Sequence, residues 1–385
     1  MKKSYGIPLV RPSLSDADIA TVVEVIKSGR LVNGPMAEAF ERQLASFLDV
    51  RYAVCLSSGT AALHLGLLAI GVGRGDEVIV PAFSYPASAN AVELCGARVI
   101  FVDSGSDDFN IDAGKIESNI GSNTRAIMVV HNFGWPCAMD SIRSLSAKYG
   151  LPIIEDAACA LGSGIGETSC GNFGRLAAFS FHPRKILTTG EGGAVVTDDP
   201  LIAERIRELR NHGQALGKKI EFVAPGFNYR MGEMQAALGV SQMKRFKSIL
   251  RERQRAARYY DEALGKISFL KPRANNSIAR VNYQTYVARV SDGLRNDLIK
   301  YLAKNGIEAG IGTYSIPHTT YYSERYGYGK SDFPHALDSY ENLISLPLYD
   351  CMTRQEQDSV IEALNRFVPE IRETADMAPA GNLKE

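Results

Sequence analysis

The stretch Tyr52-Ala53-Val54-Cys55-Leu56-Ser57-Ser58-Gly59-Thr60-Ala61-Ala62 reads as a strand, a turn of small residues and the start of a helix. The strand portion is apolar throughout, without polar alternation, which suits a strand covered on both faces. Helical spacing then continues over 60–70. Outward from this unit the pattern repeats: short apolar runs occupy 77–81, 98–102, 126–131, 152–155, 177–181 and 193–197, and helical patterns fall at 86–95, 112–120 and 139–149. Strand and helix in alternation imply βαβ units and an α/β fold with a mainly parallel sheet. The last runs have no helix between them, so the final strands are expected to pair antiparallel or through short crossovers.

Towards the ends the pattern changes. A leading helix over 15–28 is signalled by Ser15 as its cap, Asp18 three residues on, and Gly29 past its end. A long helical pattern over 232–264, with Lys and Arg on its outer face, can link one domain to the next; beyond it, 284–290, 292–305 and 341–347 suggest a small α/β domain. A length of 385 residues favours two domains. We expect a large domain with an N-terminal arm over 1–245, a small domain over 246–373, and a flexible tail over 374–385.

Lys and Arg together number 43, as do Asp and Glu, and 45% of residues are hydrophobic. That much apolar surface can offset the entropy of ordering, which excludes disorder as the main theme. Zero net charge argues against nucleic acid and membrane surfaces as partners. The seven Lys and Arg over 244–258 read as a solvated helix face. Apolar runs are too short to cross a membrane, and the first residues lack the apolar stretch of a signal peptide. Six cysteines without a CxxC pair or a His/Cys cluster support neither a disulfide framework nor a metal site, and point to the cytoplasm.

Four features fall at strand ends, the usual ligand edge of an open α/β sheet. Ser57-Ser58-Gly59-Thr60 places small residues and free N–H groups where an anion can approach a helix N-terminus. Glu155-Asp156 ends an apolar strand, where a carboxylate needs a cation or donor. Phe179-Ser180-Phe181-His182-Pro183-Arg184-Lys185 sets an amine after an aromatic strand, ahead of a Thr/Gly-rich loop; an amine in a desolvated setting becomes a nucleophile for Schiff-base chemistry. Gly226-Phe227-Asn228-Tyr229-Arg230 precedes the long helix. Each has a plainer reading alone: a helix cap, a second cap, a surface lysine, a helix-entry turn. Together with Tyr85, however, they supply a phosphate cradle, a ring-stacking aromatic, a carboxylate for a pyridine nitrogen and a lysine for an aldehyde. That set is what pyridoxal 5'-phosphate requires.

The stretch FSFHPRKILTTGEGG (179–193) resembles the nucleotide-sugar aminotransferases of the DegT/StrS type, within the fold-type I pyridoxal-phosphate enzymes, and the resemblance runs from about Arg30 to Tyr349. It implies a three-layer large domain with a seven-stranded, mainly parallel sheet, a smaller C-terminal α/β domain, and a homodimer with shared active sites. By the same resemblance Lys185 would carry the cofactor and shuttle the proton, and Asp156 would pair with the pyridinium nitrogen. Tyr85 would stack on the ring, and Gly59, Thr60 and Ser180 would bind the phosphate with Asn228 of a partner subunit. Arg230 and His318 would lie near the substrate. The implied activity is transamination from an amino donor, usually L-glutamate, to a keto sugar nucleotide. Two positions depart from the pattern: Cys159 stands where Gln or His usually touches the cofactor's phenolic oxygen, and Trp135 stands where a smaller polar residue is common. His131, His182 and His212 read as structural or as supports behind the site residues, and the Tyr-rich run 321–328 as a loop over the pocket or at the dimer interface. Rival readings are another pyridoxal-phosphate-dependent transformation, of a non-nucleotide sugar or a secondary-metabolite precursor, and a non-catalytic regulatory relative. Sugar dehydratase relatives have His in place of the lysine, so Lys185 argues against that branch.

Overall fold

The computed structural model describes residues 5–32, 34–106, 108–217, 219–273 and 278–368. Asn33 and the tail 374–385 lie outside the described residues. Seven strands form the central sheet: β1 (Tyr52–Leu56), β2 (Glu77–Pro81), β3 (Arg98–Val102), β4 (Thr124–Val130), β5 (Ile153–Asp156), β6 (Leu176–Ser180) and β7 (Gly193–Thr197). Their order is β1-β7-β6-β5-β4-β2-β3. Strand β7 runs antiparallel to both its neighbours, and the other pairings, from β6 through β3, are parallel. The expected antiparallel closure is thus β7, inserted between β1 and β6. Because β7 reverses twice, β1 points the same way as β5 and β6, and their carboxyl ends share one edge.

Strand residues alternate between two buried faces. Val54 and Leu56 join one apolar cluster, whereas Ala53 and Cys55 join another; Ile154 and Ile153 divide in the same way. This period of two, with apolar residues on both sides, is why these runs lack polar alternation. Helix α1 (Asp16–Ser28) lies against the long helix that follows the sheet, while α2 (Pro35–Leu48), α3 (Gly59–Ala69), α4 (Ala87–Leu94), α5 (Met139–Tyr149) and α6 (Pro200–Leu209) pack on the sheet. The cap foreseen on α1 is a full box: Asp18 N–H donates to Ser15 Oγ at 3.3 Å, Ser15 N–H donates to Asp18 Oδ2 at 2.8 Å, and Gly29 closes the helix at φ +68°. The helical pattern over 112–120 breaks into a short α segment, Ala113–Ile116, and a 3-10 turn, Glu117–Asn119.

Helix α7 (Glu233–Leu264) is 32 residues long, about 48 Å at 1.5 Å per residue. Its basic run is mostly the solvated face read in the sequence, with Lys244, Lys247, Arg251, Arg255 and Arg258 exposed, but two members depart from it. Arg253 is buried, and its Nη2 donates to the carbonyls of Tyr283 (2.8 Å) and Gln284 (2.9 Å). Burial pushes its pKa down to about 10. Arg245 Nη2 donates to Asp18 Oδ2 at 2.7 Å, which ties α7 to α1. A four-stranded antiparallel sheet follows, with β8 (Leu270–Pro272), β9 (Tyr286–Val290), β10 (Gly310–Ile311) and β11 (Leu343–Leu346) in the order β8-β9-β11-β10. Helices α8 (Arg295–Lys304) and α9 (Arg354–Arg366) complete this part. Residues near the amino end reach it directly: Ile7 pairs with Ile307, and Leu348 N–H donates to Leu9 O.

One aromatic expectation changes. Most of the Tyr-rich run is helical (Thr320–Tyr326), not a loop. Its rings pack on Phe101 of β3, and Tyr322 OH donates to Asn90 Oδ1 at 2.8 Å. Burial of these rings against the sheet outweighs the solvation of a loop. Trp135 is 4% exposed, with the Arg273 guanidinium 4.5 Å from its ring and Tyr283 edge-on at 5.9 Å. Among the described residues no helix is long and apolar enough to cross a membrane.

Candidate active site

The shared edge of β1, β5 and β6 brings three of the four sequence features together. At the end of β1, Ser58 caps α3, its Oγ accepting from Ala61 N–H at 3.1 Å. Gly59 is the first residue of that helix, and a Cβ there would lie 2.7 Å from Ser180 Cβ at the end of β6. The turn and Ser180 therefore touch, and only glycine permits it. Gly193, at the start of β7, closes from below, since a Cβ there would sit 2.3 Å from Ser58 O. Thr60 stands exposed on the first turn of α3. The result is a small-residue cradle rimmed by a helix N-terminus and hydroxyl groups, a shape and charge suited to phosphate.

At the end of β5 the acidic pair divides by strand alternation. Glu155 is fully buried, accepting from the N–H groups of Gly171, Phe173 and Gly174 at 2.7–2.8 Å and from His131 Nε2 at 2.9 Å. His131 Nδ1 accepts from Cys137 N–H at 3.1 Å, so the Nε2 proton faces Glu155. His131 is thereby structural. Asp156 faces the other way; its Oδ2 accepts from Ser88 Oγ at 2.7 Å and its Oδ1 from Ala158 N–H at 3.1 Å. Both oxygens keep a lone pair for a further donor. Ser88 stood out in no sequence pattern, because a serine in the first turn of a helix reads as ordinary capping.

Lys185 follows β6, and its half-buried Nζ lies 3.0 Å from Cys159 Sγ. The cysteine that departs from the familiar pattern is thus the neighbour of the amine. Tyr85 is 65% exposed, its ring 6.2 Å from that of Tyr314, because the two-residue strands Phe83–Ser84 and Tyr314–Ser315 pair. The fourth feature lies beside the cradle through its backbone. Tyr229 O accepts from Ser57 N–H at 2.8 Å, which sets this loop beside the cradle. Phe227 and Tyr229 stack on each other, with His64 edge-on to Phe227 and tilted against Tyr229, and the Asn228 side chain between them is exposed. Arg230 Nη1 donates to Asn211 Oδ1 at 2.6 Å. At His318, Nδ1 meets Ser315 Oγ at 2.6 Å and Nε2 meets Gly329 O at 3.1 Å, so both nitrogens are engaged. His182 is partly exposed, 3.9 Å from Glu191, and burial holds its pKa below the ordinary value.

Sequence reasoning missed the residues that fasten these loops. Gln284 bonds the peptide groups on both sides of Lys185, and Asn282 Nδ2 donates to the carbonyls of Cys159 (3.0 Å) and Leu161 (2.9 Å). Their only signal was two amides, two residues apart, ahead of β9.

A cradle for phosphate, a carboxylate with free lone pairs and a half-buried amine at one sheet edge define a pyridoxal-phosphate enzyme of fold type I, and the residues fit that cofactor. The family model for the DegT/DnrJ/EryC1/StrS aminotransferase family matches residues 12–365. The spore coat polysaccharide biosynthesis protein SpsC of Bacillus subtilis is 34% identical over 383 residues, spanning 95% of this chain and 98% of that protein. The GDP-perosamine synthase of Caulobacter vibrioides is 37% identical over 334 residues, spanning 86% and 89%. Spr1654 of Streptococcus pneumoniae, solved in its PLP form, superposes with a TM-score of 0.90 at 31% identity over 94% of this chain and 98% of that one. The chain belongs to the DegT/DnrJ/EryC1/StrS aminotransferase family, and is a pyridoxal-phosphate-dependent aminotransferase.

Proposed function

We propose that this enzyme moves an amino group from L-glutamate to a keto sugar carried on a nucleotide, in amino-sugar biosynthesis. The observation that carries the reading is the convergence of Lys185, Asp156 and the Gly59–Ser180 contact on one sheet edge. The sugar assignment is supported by relatives that include a GDP-perosamine synthase and a spore coat polysaccharide biosynthesis protein.

Bound pyridoxal phosphate supplies an electron sink for proton transfer beside the amino nitrogen. Lys185 would bind its aldehyde and, once released, move the proton between carbon atoms from its half-buried position. Asp156, oriented by Ser88, would keep the pyridine nitrogen protonated. Gly59, Thr60 and Ser180 would bind the phosphate, with Tyr85 covering the ring and Cys159 filling the space beside Lys185. Asn228 would complete the phosphate site of a second copy, a reading that its exposure allows; a homodimer with shared sites follows from this reading. Arg230 and His318 would border the substrate, His318 through its carbon edge. The large unit over 1–245 would carry the cofactor and the unit over 246–373 would cover it. Six unpaired cysteines accord with a reducing cytoplasm.

The test is the visible spectrum before and after L-glutamate. The Schiff-base band should bleach, and should return when a keto sugar nucleotide is added. Lys185→Ala should abolish the band. A band that ignores both additions would refute this function.

A further inference from the structure

We propose that Gln284 is a positioning residue for Lys185, holding the peptide groups on either side of it so that the amine alone remains free to move. The proposal rests on Lys185 being the Schiff-base lysine. Gln284 is 4% exposed. Its Oε1 accepts from Ile186 N–H at 2.9 Å, and its Nε2 donates to Arg184 O at 2.6 Å. One primary amide thus makes the two-point contact that a neighbouring strand would make. Lys185 N–H itself donates to His182 O at 2.8 Å. Three consecutive residues are pinned, while the Lys185 side chain meets only the Cys159 thiol among the described hydrogen bonds.

Gln284 is in turn held from behind. Its N–H donates to Asn282 Oδ1 at 2.8 Å, and its carbonyl accepts from the buried Arg253. Between them Tyr283 sits at φ +51°, a left-handed conformation disfavoured for a residue with a side chain. Arg253 also bonds the Tyr283 carbonyl, and the Trp135 ring meets Tyr283 edge-on. The same turn grips the Cys159 segment through Asn282, whose N–H donates to Ser163 Oγ at 3.1 Å. Space for it depends on Gly134, where a Cβ would lie 1.8 Å from Asn282 Oδ1. A turn maintained in an unfavourable conformation by a buried guanidinium, and spending its amides on the two loops that flank one amine, is arranged for that amine.

The experiment uses the full chain as Gln284→Leu, Gln284→Glu and Lys185→Ala, with four readouts: equilibrium affinity for pyridoxal phosphate, the rate at which apoenzyme forms the Schiff-base band, hydrogen exchange at the Ile186 amide, and thermal midpoint. Gln284→Leu leaves the phosphate cradle and Asp156 untouched, so affinity should fall by less than about threefold. Band formation should slow by roughly 10- to 100-fold, the scale expected when a reacting group is misplaced by about an ångström, and Ile186 exchange should accelerate. Gln284→Glu keeps the shape and the acceptor but, when ionised, cannot donate to Arg184 O. Its band formation should recover towards wild type as the pH falls and the carboxyl gains a proton, a profile that a merely structural role would not produce. If Gln284→Leu does not fold, Gln284→Glu carries the test. Band formation within about twofold of wild type in the folded variants, or a loss that only tracks the thermal midpoint, would overturn the proposal. If Lys185→Ala still forms the band, the assignment of Lys185 fails first and the proposal falls with it.

Discussion

Gly59→Ala tests the cradle most directly. The added Cβ would lie 2.7 Å from Ser180 Cβ, 3.2 Å from its Oγ and 3.3 Å from its Cα. Apolar contacts settle near 3.5–4.0 Å, so the start of α3 and the end of β6 must part by about 1 Å. Overpacking of this kind costs roughly 1–3 kcal/mol, offset by a few tenths for the better helix former. Unfolding entropy near 2.1 cal/mol/K per residue over 385 residues converts that into a fall in Tm of about 1–4 °C. The larger effect is on binding. Moving the donors apart by that distance forfeits about one charge-assisted hydrogen bond to phosphate, roughly 1.5–3 kcal/mol, or about 10- to 100-fold in Kd. The assay is a fluorescence titration of apoenzyme with pyridoxal phosphate, alongside a thermal melt. Gly73→Ala is the control, because a Cβ there meets nothing within 4 Å; it should leave Kd unchanged. If Gly59→Ala binds the cofactor like wild type, this turn does not hold the phosphate.

Mixed dimers of Lys185→Ala and Asn228→Ala should regain activity that neither parent shows, because one intact site forms per dimer; activity no better than the parents would rule out shared sites. His64 is buried, its ring nitrogens have no hydrogen-bond partner within the described residues, and burial lowers its pKa. Its unfolded form therefore takes up a proton first, so stability should be full above about pH 6.5 and decline as pH falls below it. His64→Phe should flatten that decline between pH 7 and 5 in thermal melts, and an unchanged slope would refute the assignment. Burial raises the Asp18 carboxyl pKa, but hydrogen bonds from Ser241, Ser15 and Arg245 outweigh this and hold it below the usual range. Its contribution should persist above about pH 4 and be lost as pH falls through the folded pKa. Asp18→Asn should cost about 1–3 kcal/mol in urea melts at pH 7, and no change would show that α1 docks without it.

The strands were legible because their burial on both faces leaves uninterrupted apolar runs. The end of β5 lies one residue beyond its expected limit, since Asp156 continues the ladder opposite Val130. Local chemistry also singled out Lys185, Asp156 and Gly59, each close to a strand end. Ser88, Asn282 and Gln284 were not legible, because their meaning lies in partners 68 to 123 residues away. Arg253 was misread for the same reason: a helical basic run looks solvated until the tertiary fold places one member against two carbonyls. Trp135 and the tyrosines of 321–328 likewise take their positions from rings distant in sequence.

The sheet order also bears on how the chain is made. Strand β1 leaves the ribosome early, yet its sheet partner β7 follows about 140 residues later, roughly 7–28 s at ordinary rates of synthesis. During that interval β1 and the apolar face of α2 wait unpaired, as sticky nascent segments. The turn at Asn282 and Gln284 emerges about a hundred residues after Lys185, so the loop that bears the amine is fastened only when three-quarters of the polypeptide exists. A chain terminated before that point carries Lys185 without the turn that fastens its loop.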